Sequence, residues 1–337
     1  MHKFWALFAA RNMEFYRDRA ALSWAFIFPL LIIVGCALAF SRPDETIIRL
    51  GVVGAEQDIA AINLATQRYV ESTSYSDKTR ALEQIRHHQI DLLIDIKPES
   101  LNYWLNPESA SGLAARELLR ATDADKNLHE QTLSGQAIRY VDWVMPGVLA
   151  MNMMFAALFG IGYVIVRYRQ NGVLKRFQAT PVSSLQFISA QMASRLVIVV
   201  LVNSLIFLGC DYFLDLLMLG SYSLLLLIAL IGSLSLLSLG LVIASRTASE
   251  ELAGGLLNTL TWPMMFFSEI WFSLENAPHW MQQFANLMPL THIVNAARAV
   301  MIEGATLSDV NHHLVALLAI TVVMLLLAAR LFRWQRD

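Results

Sequence analysis

Read from the amino terminus, the chain is punctuated by apolar runs that match a bilayer in length, not a globular core. A membrane helix needs about 20 mostly apolar residues. Leu22–Phe40 supplies 19 with no charge, Trp143–Val166 supplies 24, and Leu196–Leu214 follows with only Asp211 near one end. Leu216–Ser245 runs 30 residues uncharged, read as a helix from about Leu224 after a Gly220-Ser221 turn. Leu252–Ser268 gives 17 before Glu269, and Leu314–Ala329 gives 16, extended by His312, His313 and Arg330. The pattern predicts an α-helical polytopic membrane protein with six transmembrane helices, the fifth the least regular. Ahead of the first run, residues 1–21 form an amphipathic interfacial helix. On a helical wheel Phe4, Phe8 and Phe15 fall within about 40° of one another with Trp5 on the flank, and Arg11, Arg17 and Arg19 can reach toward lipid phosphates.

Between the first two runs the pattern changes to that of a soluble insert, residues 41–140. Ile47–Val53 reads as a β-branched strand and Thr79–His88 as a helix with Leu82 and Ile85 on one face. Ile90–Ile96 is a mostly buried strand stopped by Pro98, and Leu101–Leu105 a strand closed by Asn106-Pro107. A long helix is expected from Ser111 to about Ile138, with Leu113, Leu118 and Leu119, leading into the second span. This predicts a small α/β extracytoplasmic domain, serving substrate capture, docking of an envelope adaptor protein, or simply as a rigid packing domain.

Charge sharpens the division. Residues 42–140 hold 26 of the 52 charged side chains, a normal density for a soluble domain, and the other 238 residues share the rest. With both termini cytoplasmic, thirteen basic residues (Lys3, Arg11, Arg17, Arg19, Arg167, Arg169, Lys175, Arg176, Arg195, Arg246, Arg330, Arg333 and Arg336) fall on that side, and the short outer segments carry only Arg298. That asymmetry fixes the orientation expected in a bacterial plasma (inner) membrane. The near-neutral total of −2 argues against a nucleic-acid partner. Leu22–Phe40 is read as an uncleaved span, because 21 residues with four basic side chains precede it and the run exceeds a signal peptide's apolar region.

Little in the sequence points to chemistry on this chain. Cys36 and Cys210 sit in apolar spans as small buried residues. The pairs His87-His88 and His312-His313 lack further ligand spacing, so no metal site is expected. No G-x-x-x-x-G-K-[ST] phosphate loop occurs, nor does H-E-x-x-H or G-x-S-x-G, so no catalytic residue, ATP site or bound cofactor is expected.

The connection between the second and third spans, 167–185, carries a short helical stretch, Val173–Gln178, held between the Asn171-Gly172 turn and Thr180-Pro181. The run Asn-Gly-Val-Leu-Lys-Arg-Phe-Gln-Ala-Thr-Pro-Val-Ser, 171–183, resembles the loop motif of the type-2 ABC (ABC-2) exporter permeases. Pro263, Phe266-Phe267-Ser268, Phe272, Pro278, Trp280, Pro289-Leu290, Arg298 and Gly304 are similar to that family's fifth span and outer hairpin, about 264–290 here. The insert is similar to that of the larger family members. Glu269 stands where the family usually has Gly, and Ser273 where Pro is common. The resemblance implies export driven by ATP and Mg in a separate cytoplasmic ABC ATPase subunit, with a second permease copy or a sibling completing the pathway. It assigns ATPase coupling to Gly172, Leu174, Lys175, Arg176, Phe177 and Pro181, with the N-terminal helix as a second contact. An ion-gradient-coupled transporter and a membrane-anchored envelope scaffold are the alternative readings.

Polar positions inside the spans are candidates for the pathway or a subunit seam. Asn152, Ala156 and Gly160 form a small, polar stripe in the second span. In the fifth, Gly254 and Asn258 share a face with Thr261 nearby, and Pro263 removes a helix hydrogen bond, suggesting a broken helix whose far half re-enters from outside. Glu269 is the ionisable candidate at membrane depth and Arg298 its counter-charge. Substituting Glu269 by Gln is expected to alter export more than folding.

Overall fold

A computed structural model of the chain describes all residues except 1, 40–47, 55–58, 61, 87–88, 98–99, 124–126, 136–137, 248, 275–276 and 332–337. The chain divides into two compact units, Met1–Ala37 with Tyr140–Asp337, and Leu38–Arg139. The first opens with α1 (His2–Arg17) and α2 (Arg19–Ala39), separated by Asp18, whose side chain accepts from the Ala21 amide and caps the second helix. On α1 the buried positions are Leu7, Arg11 and Phe15, four apart and therefore on one face. Arg11 is only 6% exposed, so it points into the protein and not toward lipid phosphates as expected. α2 buries only Pro29 and Ile33 and leaves Trp24, Ile27, Leu31, Val34 and Leu38 exposed, as a span facing lipid does.

The second unit is a five-stranded sheet in the order β2-β1-β3-β4-β5, with β1 (Ile48–Val53), β2 (Val70–Tyr75), β3 (Leu92–Lys97), β4 (Ser100–Leu105) and β5 (Leu128–Thr132). All its pairings are parallel except β3 with β4. Among the described residues, two longer helices pack on it, α3 (Lys78–Arg86) and α4 (Ala110–Thr122). The period-2 alternation of the strands sends Leu50, Val52, Leu92, Ile94, Leu101 and Tyr103 to the α4 face and Leu93 and Trp104 to the α3 face. One expectation is corrected and one strand is added. The helix expected to reach Ile138 stops at Thr122, where Asp123 turns inward and accepts from the Asn63 and Leu64 amides; the chain then forms β5 beside β4. β2, Val-Glu-Ser-Thr-Ser-Tyr, was not expected, because an edge strand so polar carries little apolar alternation to read.

The first unit resumes with α5 (Tyr140–Gln170), α6 (Val173–Gln178), α7 (Ser184–Leu214), α8 (Tyr222–Arg246), α9 (Glu250–Phe267), α10 (His279–Ala285), α11 (Pro289–Glu303) and α12 (Leu307–Leu331). α5 is the centre of the bundle and packs against α7, α8, α9 and α11. It meets α8 closely because both offer glycine at the crossing: a Cβ on Gly240 would lie 3.2 Å from the Leu158 carbonyl.

Among the described residues, five helices are long and apolar enough to cross a membrane: α2, α5, α7, α8 and α12. The fifth predicted run forms α9, which falls outside that set. It has 18 residues, and its first turn carries Glu250 and Glu251. What remains spans roughly 24 Å, less than a bilayer's hydrocarbon thickness. Pro263 does not break α9, which continues to Phe267. The turn comes at Ser268–Glu269, where Glu269 takes a left-handed conformation, φ 55°. The third span also begins earlier than Leu196. A capping box between Ser183 and Gln186 starts α7 at Ser184, and α1 lies along its polar first turns, so Arg195 sits well inside the helix.

Candidate functional site: the α5–α7 connection and the buried charge clusters

Gly172 starts the connection. Its φ of +69° reverses the chain directly after α5, a conformation costly for any other residue, and α6 follows. Leu174 is fully buried and Phe177 packs on Phe187 with ring centroids 5.4 Å apart, so these two side chains seat the helix. Lys175 and Arg176 of α6 face solvent. Of the six coupling residues taken from the family motif, Leu174 and Phe177 thus point inward, while Lys175, Arg176 and the exposed Pro181 remain reachable. Leu185, 77% exposed, adds an apolar contact beside them that the sequence reading passed over.

The connection is tied at both ends. Lys3 Nζ donates to the Pro181 carbonyl at 2.7 Å, fastening the start of α1 to it. Arg169, at the end of α5, donates to the carbonyls of Ala244 (2.8 Å), Ser245 (3.2 Å) and Thr247 (2.6 Å). Those groups are left open by the end of α8, whose dipole also favours a cation there.

A charge cluster holds α1 against α5. Arg11 donates to Glu14 at 2.7 Å and to the Gly160 carbonyl at 3.1 Å, while Tyr168 donates to Glu14 and Arg167 lies 3.5 Å from it. Burial alone would raise the Glu14 carboxyl, but the Tyr168 hydroxyl and the two guanidinium groups outweigh it and hold it below the usual carboxylate range. The α5 stripe falls in this region. Asn152 donates to Asn203 at 3.2 Å, Ala156 offers its carbonyl to Arg195 Nε at 2.8 Å, and Gly160 carries Arg11. All three positions are engaged by α1 or α7 of the same chain.

On the opposite end of α5, Arg298 is enclosed. Its Nη2 donates to the Glu269 carbonyl at 2.8 Å, Nη1 lies 3.6 Å from the Glu269 carboxylate, and its guanidinium sits 4.0 Å from the Trp143 ring centroid. Thr261 is buried and donates to the Asn258 carbonyl, whereas the Asn258 side chain is exposed, so these two do not form one polar face. His292 and His313 meet through their Nδ1 atoms at 2.9 Å, joining α11 to α12, a pairing that nothing in the sequence spacing announced. Among the described residues no three His, Cys, Asp or Glu side chains converge on a metal-sized site; His87 and His88 lie outside those residues.

Comparison with known proteins agrees with this architecture. The chain is 23% identical over 194 residues to the probable multidrug ABC transporter permease YbhR of Escherichia coli K12, covering 58% of this chain and 53% of that one. It is 25% identical over 190 residues to the inner membrane transport permease YhhJ of the same organism, covering 56% and 51%. ABC transporter G family member 20 of Dictyostelium discoideum matches at 23% over 222 residues, 65% of this chain and 30% of that protein. The matched regions thus span about half the length of the bacterial relatives and under a third of the Dictyostelium one. The family description "ABC-2 family transporter protein" matches residues 19–330, nearly the entire chain including the sheet unit. The chain belongs to the ABC-2 family of transporter proteins.

Proposed function

We propose that the chain is the membrane-spanning permease subunit of an ABC exporter, moving substrate out of the cytoplasm or inner leaflet with ATP hydrolysed by a separate ATPase. The observation that carries this reading is the family match over 19–330 in a chain that lacks a phosphate loop and presents a short basic helix between two long apolar ones. With α9 as a sixth, short crossing and α10–α11 as an outer hairpin, both termini and α6 face the cytoplasm and the sheet unit lies outside. The thirteen-to-one distribution of basic residues supports that orientation. The transport step resides in a pair of such permeases, and catalysis in the partner ATPases. The likeness to the probable multidrug permease YbhR makes drugs the first substrate class to test.

The tethers supply a mechanical route. When ATP closes the ATPase pair, force on α6 passes through Arg169 to the end of α8 and through Lys3 to α1, so the bundle rocks as a body. The docking face is Lys175, Arg176, Pro181 and Leu185, because Leu174 and Phe177 are occupied in holding α6 down. The test is charge reversal: Lys175→Glu with Arg176→Glu is expected to abolish co-purification of the ATPase from native membranes while membrane insertion stays normal. Full co-purification with the double variant removes α6 as the dock.

A further inference from the structure

Arg195 stands on α7 at a half-open cavity of about 590 Å³ lined by α1, α2, α5 and α7. The cavity wall is largely apolar, with Trp24 and Phe28 from α2 and Phe155 and Phe159 from α5. Three guanidinium groups and two carboxylates line it: Arg11, Arg167 and Arg195 against Glu14 and Asp18. Both carboxylates are engaged, Glu14 by Arg11, Arg167 and Tyr168, and Asp18 by the Ala21 amide. Arg195 is left with one carbonyl, that of Ala156, and the face of the Phe15 ring at 5.3 Å. Among the described residues no carboxylate lies within ion-pair distance of it. A charge withdrawn from water without a counter-ion is strongly unfavourable, so this guanidinium is electrostatically incomplete.

The site is nevertheless built to hold it. A Cβ at Gly160 would overlap the Arg195 guanidinium, so glycine is the residue that lets the planar group lie flat on α5. Half-buried, Arg195 keeps part of its surface open, and its terminal nitrogens can donate to an anion. α2, which buries little of itself in the bundle, forms one wall, and its exposed residues from Trp24 onward are apolar, so access is lateral, from lipid. We propose that this cavity binds the anionic headgroup of a membrane lipid, its phosphate on Arg195 and its acyl chains along the aromatic walls of α2 and α5.

The proposal is tested on the full-length chain, purified and delipidated in detergent, by thermal unfolding followed through tryptophan fluorescence. Phosphatidylglycerol is expected to raise the midpoint saturably, with phosphatidylcholine and inorganic phosphate each much weaker. Arg195→Gln is expected to weaken the apparent affinity for phosphatidylglycerol roughly tenfold or more, Arg195→Lys less so, and Arg17→Gln, an exposed arginine of α1, not at all. Gly160→Ala keeps the charge but displaces the guanidinium, and is expected to weaken binding even where Arg195→Gln cannot be purified. An equal response to phosphatidylcholine, or a phosphatidylglycerol response unchanged in both Arg195→Gln and Gly160→Ala, overturns the proposal. Saturation by inorganic phosphate as effective as by the lipid assigns the site to a soluble anion and overturns the lipid. The assay contains no ATPase, so its failure is distinct from failure of the exporter reading.

Discussion

Arg298 and Arg195 are the same side chain in the same helical bundle, and they are treated in opposite ways. Around Arg298 a carboxylate, a carbonyl at 2.8 Å and the face of Trp143 complete the guanidinium's surroundings, and the side chain is 12% exposed. Around Arg195 there is one carbonyl, one ring and a cavity. A cation whose partners all belong to its own chain is a clamp. It fixes the Ser268–Glu269 turn to α5 and α11, and it asks nothing of a ligand. A cation with spare donors facing a cavity is a receptor for something the chain does not contain. The difference lies in how many donors are already committed, and it cannot be judged from residue type or burial alone.

The contrast can be broken by substitution. The largest effect is expected for Arg298→Ala, which strands the Glu269 carboxylate and unpins the turn; a loss on the order of 3 kcal/mol is expected in thermal unfolding of the purified chain. Arg298→Lys should recover little, since a single ammonium cannot serve the carboxylate and the carbonyl together. Next is Glu269→Gln. It removes the ion pair but keeps the backbone carbonyl bond, so about 1 kcal/mol is expected, with a larger proportional change in export measured in vesicles containing the proposed ATPase partner. Smaller again is Arg195→Gln in the absence of lipid, expected to fall within about 1 kcal/mol of the parent, because the lost hydrogen bond is offset by removal of an unpaired charge. If it destabilises as much as Arg298→Ala, Arg195 is a clamp too and the contrast collapses.

The smallest effect concerns Glu14, which neutralises Arg11 beside the cavity. Its carboxyl is held below the usual carboxylate range, so the ionised form contributes stability at neutral pH. That contribution is lost only as the pH falls below the ordinary carboxylate range and through the lowered value. The protection of α1 amides, their exchange relative to the intrinsic rate at each pH, is expected to fall there in the parent, and to be lower but insensitive to pH in Glu14→Gln. An acid response that survives in Glu14→Gln would assign it to another group.

Much of the helical framework was legible because lipid imposes a simple demand, long uninterrupted apolar runs, and α2, α5, α7, α8 and α12 answer it. The positions of Ile47–Val53, Ile90–Ile96 and Leu101–Leu105 were legible as strands because they alternate or are β-branched, whereas β2 and β5 lacked that signal and are held by pairing to β1 and β4. The loop motif marked α6 as a whole but not its orientation. Six residues make one and a half turns, too few for periodicity to say that Leu174 goes in and Lys175 and Arg176 go out. By sequence Arg11 reaches toward lipid phosphates and Arg195 counts among the cytoplasmic cations, since charge near the end of an apolar run usually lies outside the hydrocarbon. Nothing local indicated that α1 would cover the first turns of α7 and carry both side chains inward.

The sequence by itself determined the class of molecule, the expected order of its spans, the charge asymmetry along it, and the family motif between α5 and α7. These are properties of single segments and of their composition, and they hold whatever the segments touch. The tertiary structure alone decided which charges are complete. Whether an arginine is a clamp, as Arg298 is, or an unfilled donor, as Arg195 is, depends on carbonyls, rings and carboxylates brought from positions far apart in the chain. Electrostatic energy is set by distance and by the surrounding medium, and neither is defined until the helices pack.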